Sequence, residues 1–379
     1  MPCLRTMPLK EPNKIFFLQP GYAHYRESLF ASLSKRHNIH FLYETSLNVY
    51  PGEVLPGNIT YTFIEDKYRF RWIGLIYLLL RNRPDVVISS VSNSARSVIS
   101  FIYSTLFKKR FVLWILEWRQ PNDYRDSMKR LFGHIKNLVG TKIIRKSDSL
   151  IVGGSAAKKY ALSLGKDKRQ IFEAIQCSND LKLRAKPTIA QRTRHSNRYK
   201  FLYLSRIVPY KGLDVLIRAF SLLKHDRDDV FLMVAGDGPF RNNCQKIAGA
   251  LGVHDILFVG AVDPGSASHL YEEADVFVLP SYFKGNLYEV WGLVINEAMS
   301  MSLPVITTRA VGASYDMVIN GHNGFIVKDN NVMDLYRAMK NILSLDLVQM
   351  GMRSRRIFME KNNFIRMANA FTDAITDVE

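Results

Sequence analysis

Two glutamates eight residues apart, Glu289 and Glu297, flank the place where an apolar strand gives way to a helix. The strand is VFVL (276–279), which breaks at Pro280 into a turn-rich loop. An apolar pattern of helical period (Leu293, Ile295, Ala298, Met299) begins near Gly292 and stops before Pro304. A helix N-terminus carries backbone N–H groups without intrahelical partners, so Gly292, Leu293 and Val294 present an edge suited to phosphate. Gly292 has no side chain to hold a ligand away from the backbone. One turn further in, the Glu297 carboxylate can accept from both hydroxyls of a ribose, as acidic residues do in dinucleotide folds. Glu289 then faces whatever hangs from the phosphate, and the whole is a nucleotide-sugar clamp. Two isolated glutamates also have a plainer reading, Glu297 as a solvated helix residue and Glu289 as a charge favoured by the helix dipole. Spacing alone does not overturn it.

The elements that must hold this loop alternate strand and helix through both halves of the chain. Strands are expected at KIFFLQ (14–19), IHFLY (39–43), 60–63, VVIS (86–89), FVLWIL (111–116) and SLIV (149–152), with helices at 25–36, 69–80, 92–107, 123–146 and 155–164. The alternation restarts at FLYL (201–204) and continues through VFLMVAG (230–236), ILFVG (256–260), VFVL, VITT (305–308) and GFIV (324–327). Helices follow Lys211-Gly212 and occupy 331–344 and 348–360. Such alternation predicts an α/β protein of parallel sheets covered on both faces, with ligands beyond the carboxyl ends of the strands. A length of 379 residues allows two domains with separate cores. They are placed at 1–185 and 200–362, joined by a polar, basic linker at 186–199 that contains Pro187.

Charge is lopsided. Residues 1–195 carry 33 Lys and Arg against 14 Asp and Glu, whereas residues 196–379 carry 19 against 20. A basic half beside a neutral half implies an anionic partner for the first domain. The excess sits among aromatics and aliphatics, in KYRFRWIGLIYLLLRNR (67–83), LFKKRF (106–111) and the lysines and arginines of 125–146. Basic helices with an apolar side fit an anionic membrane surface; each segment alone also reads as a core-facing stripe with solvated basic flanks. No nucleic-acid module accompanies the charge, so nucleic acid is not expected as a partner. The absence of G-x-G-x-x-G after the first strand argues against an NAD enzyme. No leader is expected, because MPCLRTMPLKEPNK lacks an apolar segment. The longest apolar run, Trp72–Leu80, has nine residues where a membrane span needs about 20. Cys3, Cys177 and Cys244 have no metal or redox spacing, which fits a reducing cytosol.

The segment E-V-W-G-L-V-I-N-E (289–297) with L-P-V-I (303–306) resembles the E-x7-E signature of the retaining family 4, or group 1, glycosyltransferases. The similarity extends in order through SRIVPYKGLDVLIRAF (205–220), VAGDGP (234–239), ILFVG (256–260), EADVFVLPS (273–281) and NGHNGFIV (320–327). The resemblance implies the GT-B fold, two Rossmann-like domains facing a cleft, with the final segment 363–379 crossing back onto the first domain. It implies that Arg206 and Lys211 bind the donor diphosphate, where two cations would stabilise charge growing on the leaving group. Glu289 would hold the donor sugar and Glu297 the ribose. Gly236 would shape the cleft and Gly260 would end the strand that cups the base. Gly21 falls where the family has a donor-approaching glycine, and it is equally an ordinary turn residue. Glu117 falls where many relatives have histidine; it can orient the acceptor hydroxyl, accept its proton, or pair with Arg119. Ser205 and Ser302 replace glycines that are usual in the family. The family needs no metal or other cofactor, and DRDD (226–229) reads as a solvated loop.

The function these features imply is retaining transfer of a sugar from a nucleotide-sugar donor, UDP- before GDP-, to a glycan or lipid-linked acceptor. The setting would be cell-surface polysaccharide or glycolipid synthesis at the inner face of the membrane. Two alternatives differ in class: a non-catalytic GT-B membrane subunit, and a sugar-nucleotide epimerase that turns over donor without acceptor.

Overall fold

The computed structural model describes residues 13–45, 59–67, 70–118, 127–179, 181, 198–263 and 267–377. Seven strands of the first half form one parallel sheet: β1 (Ile15–Gly21), β2 (Ile39–Thr45), β3 (Thr60–Phe63), β4 (Val86–Ser90), β5 (Arg110–Ile115), β6 (Ser149–Val152) and β7 (Ile171–Glu173). Their order is β3-β2-β1-β4-β5-β6-β7. Helices α1 (Glu27–Ser34), α2 (Ile64–Lys67), α3 (Arg71–Asn82), α4 (Ala95–Leu106), α5 (Ser127–Lys146) and α6 (Ser155–Ser163) cover it. Strands such as FVLWI and VVISS are buried along their length, as parallel strands packed on both faces must be.

The second half repeats the plan with β8 (Tyr199–Leu204), β9 (Val230–Ala235), β10 (Ile256–Gly260), β11 (Val276–Leu279), β12 (Val305–Thr308) and β13 (Gly324–Val327), ordered β10-β9-β8-β11-β12-β13. Its helices are α7 (Leu213–Asp226), α8 (Arg241–Ala250), α9 (Ala267–Glu273), α10 (Leu293–Ser300), α11 (Ser314–Met317), α12 (Val332–Ile342) and α13 (Leu347–Lys361). In each sheet the strand order reverses beside the first strand, at β1/β4 and at β8/β11. Those reversals open the crevices where ligands of doubly wound sheets lie.

Side-chain caps set several helix starts. Ser94 accepts from Ser97 N, Asn331 from Asp334 N, Asp346 from Gln349 N and Asn363 from Arg366 N, each worth about 1 kcal/mol. The last helix, α14 (Phe364–Thr376), lies on the first sheet and not the second. Phe371 packs 5.1 Å from Trp114 and 5.7 Å from Phe17, ring centroid to centroid. Burying Phe371 and Met367 there contributes about 1.5–3 kcal/mol each.

Elements absent from the sequence reading are short or weakly periodic: β7, α2, α8, α9 and α11. Helix α8 is RNNCQKIAGA, whose two Asn and one Gly favour other conformations and whose apolar face is slight. Strand β1 runs two residues beyond the expected end, so Gly21 is paired with Thr45 inside the sheet and not in a turn. Ser302, at the end of α10, has φ 60°. That left-handed conformation is why glycine is usual there. The proposed linker lies outside the described residues except for Arg198 and Tyr199, and Arg119 lies wholly outside.

Candidate active site

Lys211 reaches the second crevice because the β8–α7 loop is pressed against the β11 loop. Gly212 has φ 74°, and a Cβ built there would stand 2.1 Å from the Pro280 carbonyl oxygen. Only glycine permits this approach of two backbones. Tyr282 N donates to Tyr210 O at 2.8 Å and ties the same two loops. The result is a direct ion pair in which Lys211 Nζ donates to Glu289 Oε2. The Lys211 and Glu289 side chains are only 14% and 13% exposed.

Glu289 is held from its backbone. Its N–H donates to Ala310 O at 3.1 Å, and its carbonyl accepts from Gly312 N at 2.9 Å. Gly292, at φ 92°, caps α10; a Cβ there would meet Val311 at 3.0 Å, Leu279 at 3.1 Å and Glu289 at 3.3 Å. The helix starts at Leu293, one residue after the expected Gly292, so Leu293 and Val294 supply its first amides. Gly236, at φ 118°, lets β9 turn against Ser205, whose carbonyl oxygen would be 2.0 Å from an added Cβ, and its N–H donates to Gly260 O at 2.6 Å. Gly236 and Gly260 therefore meet at the carboxyl ends of neighbouring strands. Arg206 is exposed just beyond β8.

Glu297 points from α10 toward α9, where Tyr271 Oη donates to it at 2.8 Å. Burial raises the Glu297 pKa above the ordinary carboxylate value, and the Tyr271 hydrogen bond partly opposes the rise. The same burial, with the Glu297 charge, pushes the Tyr271 phenol well up. DRDD is a structural corner: Asp226 accepts from Lys340 at 2.6 Å, and Arg227 pairs with Asp229 at 2.7 Å.

On the first domain, Gly21 is a buried strand residue. Glu117 accepts from Ser92 N at 2.8 Å and from Leu116 N at 3.2 Å, so its carboxylate fixes the β4–α4 loop. Trp118 touches the second domain. Its backbone N–H donates to Tyr288 Oη and its Nε1 to Val290 O, both at 3.2 Å. Its ring lies 4.8 Å from that of Tyr288 and 5.6 Å from those of Phe283 and Tyr315.

Two further contacts between the halves escaped sequence reasoning. Asn296, buried between the two glutamates of the motif, donates to Gln176 O at 3.0 Å and Asn362 Oδ1 at 3.1 Å, joining α10 to both crossings of the chain. Asp316 accepts from Ser155 N at 2.9 Å, capping the start of α6 from the other domain. A cavity of about 250 Å³ lies beside this cap, lined by Ser155, Glu173, Asp316, Lys361 and Arg366. It is away from Lys211 and Glu289, and the crevice itself is the more meaningful site because the paired charges and the α10 N-terminus meet there.

The fold has close solved counterparts. The structure of Anabaena HepE in complex with UDP superposes with a TM-score of 0.76 at 14% identity, covering 96% of this chain and 100% of that one. The two parallel sheets, each with its crevice, thus have the GT-B fold. Residues 185–360 match the family Glycosyl transferases group 1. A glycosyltransferase of Methanocaldococcus jannaschii is 22% identical over 371 residues, 94% of this chain and 86% of the relative. The GDP-mannose-dependent alpha-(1-6)-phosphatidylinositol monomannoside mannosyltransferase of Mycolicibacterium smegmatis is 33% identical over 144 residues, 37% of each chain.

Proposed function

We propose that this chain is a retaining hexosyltransferase that moves a sugar from a UDP-sugar, or a GDP-sugar, to a glycan or lipid-linked acceptor in cell-surface polysaccharide or glycolipid synthesis. The observation that carries the reading is the meeting of Lys211 and Glu289 beside the N-terminus of α10. A cation, a carboxylate and open helix amides in one crevice match a sugar diphosphate piece by piece. The diphosphate displaces Glu289 from Lys211 and lies against Arg206, Lys211 and the amides of Leu293 and Val294. Glu289, released, takes hydroxyls of the donor sugar. Glu297 accepts from the ribose, while Gly236 and Gly260 leave room for the nucleotide along β9 and β10.

Charge developing on the departing diphosphate is met by the two cations and the helix terminus, so no metal is required. Among the described residues no side chain stands out as a covalent nucleophile. The acceptor therefore attacks from the side the leaving group vacates, and the leaving phosphate helps to remove its proton. Gly21 and Glu117 lie on the acceptor side, Glu117 orienting the loop of Ser92.

A membrane-bound acceptor is supported by the outer face of the first domain. Ile73, Ile76, Tyr77 and Leu80 of α3, Ile102 and Leu106 of α4, and Ile135 and Leu138 of α5 are exposed, Leu106 at 72% and Leu138 at 70%. The three helices are neighbours, and Arg71, Arg81, Arg83, Lys108, Lys136, Lys142 and Arg145 are exposed around them. Among the described residues no helix is long and apolar enough to cross a membrane. The surface suits resting on anionic lipid from the cytoplasmic side.

Release of nucleoside diphosphate from a panel of UDP- and GDP-sugars, with product anomers read by NMR, tests the reaction. Activity should survive a chelator. If Lys211→Ala and Glu297→Ala both leave transfer intact, the reading is wrong. Co-sedimentation with phosphatidylglycerol vesicles, weakened by salt and absent with neutral vesicles, is the expected membrane result.

A further inference from the structure

One cation of the first domain has no place in this scheme. Ile15, Phe17, Gln19 and Gly21 of β1 share one face of the sheet, the face on which α1 and α14 pack. Gln19 is fully buried. Arg26, in the turn before α1, folds its guanidinium back over that face, 4.4 Å from the Trp114 ring centroid. Its Nη1 donates to Gln19 Oε1 at 2.6 Å. Arginine can only donate, so this bond fixes the Gln19 amide with Nε2 turned elsewhere. Among the described residues neither Gln19 Nε2 nor Arg26 Nε has a hydrogen-bond partner.

No carboxylate pairs with Arg26 among the described residues. Its sequence neighbour Glu27 accepts from Tyr22 Oη. Burial lowers the Arg26 pKa, and only the phenols of Tyr25 and Tyr43 act against it. Arg26 is half-buried with its Nε closed to solvent; a guanidinium so far withdrawn from water without a counter-ion is costly, and stacking on Trp114 offsets only part of that cost. What the site lacks is specific: acceptor atoms for two N–H groups, together with a negative charge. A neutral hydroxyl meets the first need and not the second; a phosphate or carboxylate meets both.

The location is on the acceptor side. Gln19 lies near the carboxyl end of β1 and Trp114 near that of β5, where ligands of parallel sheets bind. Trp114 is four residues before Trp118, at most about 14 Å along the chain, and Trp118 contacts Val290 beside Glu289.

We propose that Arg26 and Gln19 form an anion subsite for the acceptor, which therefore carries a phosphate or a carboxylate close to the hydroxyl that is glycosylated. This rests on the glycosyltransferase reading for the word acceptor, but the anion site can be tested apart from it. The melting temperature of the whole protein, saturated with UDP so that the donor cations are occupied, is measured in phosphate, acetate and chloride at equal ionic strength. Phosphate or acetate should raise it by several degrees over chloride, and whichever does so names the anion. Arg26→Gln should show no such rise and should melt at or above the wild type in chloride, because a half-buried charge without a counter-ion has gone. An equal rise in both proteins, or none in the wild type, overturns the subsite. Should Arg26→Gln fail to fold, Gln19→Leu and the side-chain Nε–H NMR signals of the wild type, titrated with the same anions, decide it in its place. If UDP itself does not bind, the donor reading falls, and the same anion titrations without UDP still judge Arg26.

Discussion

Lys211 donates to a Glu289 carboxylate 78 residues away in the chain, in a pair that is mostly closed to solvent. The crevice thus holds its own counter-ion, and on the proposed function a diphosphate competes with Glu289 for the lysine. Removing either partner strands the other charge. Lys211→Ala and Glu289→Ala should each lower unfolding free energy by about 3 kcal/mol, the double variant by clearly less than the sum, as urea titrations would read. Glu289→Gln should bind UDP more tightly, about tenfold, the equivalent of about 1.4 kcal/mol, while losing transfer. A weaker UDP complex in that variant would count against competition for Lys211.

Glu297 makes the site pH-dependent. Its folded pKa is raised by burial, so the folded state binds its proton more tightly than the unfolded chain. That contribution to stability is full below the ordinary carboxylate pKa and is lost as pH rises through the folded value. If Glu297 holds the ribose as proposed, binding needs the ionised form as acceptor. UDP affinity should therefore fall as pH drops through the raised folded pKa, where an ordinary glutamate is still ionised. Glu297→Gln should flatten this profile, bind UDP more weakly at neutral pH and melt higher than the wild type there. A UDP affinity unchanged across that range would contradict the assignment.

Gly212 and Gly321 both have positive φ, 74° and 71°, yet a Cβ at Gly321 meets nothing within 4 Å while one at Gly212 meets the Pro280 carbonyl. Gly321→Ala should cost about 1 kcal/mol, the conformational penalty alone. Gly212→Ala should cost about 2–4 kcal/mol and also remove donor turnover, since it pushes Lys211 away from Glu289. Equal losses in thermal unfolding would show that the two backbones are not in contact.

The Ser155–Asp316 cap is a polar link from α6 to the second domain. Asp316→Ala removes it without touching the donor crevice. The radius of gyration from small-angle scattering should increase, with secondary structure by circular dichroism unchanged. No increase would mean that Trp118 and the Asn296 network hold the domains without it.

Much of the scaffold was legible in the chain. Continuous apolar strands such as VFVL and VITT, punctuated by Pro and Gly, announced parallel sheets, and β3, β6, β10, β11, β12 and β13 have their expected bounds. Local apolar runs decide local structure, so they can be read locally. Short elements such as β7 and α9 could not, because packing and not propensity makes them. The role of Tyr271 was hidden with α9, and Arg26 looked like any charge at a helix start.

By itself, then, the order of residues determined two α/β halves, a glycine-capped helix after Glu289 and the candidate quartet of Arg206, Lys211, Glu289 and Glu297. Tertiary structure alone decided which of them touch: Lys211 with Glu289, Glu297 with Tyr271, Glu117 with the Ser92 amide, and Arg26 with Gln19 and, among the described residues, no counter-ion. The reason is physical. Backbone pattern depends on neighbours a few residues apart, whereas burial and pairing of a charge depend on surfaces that only the packed sheets bring together.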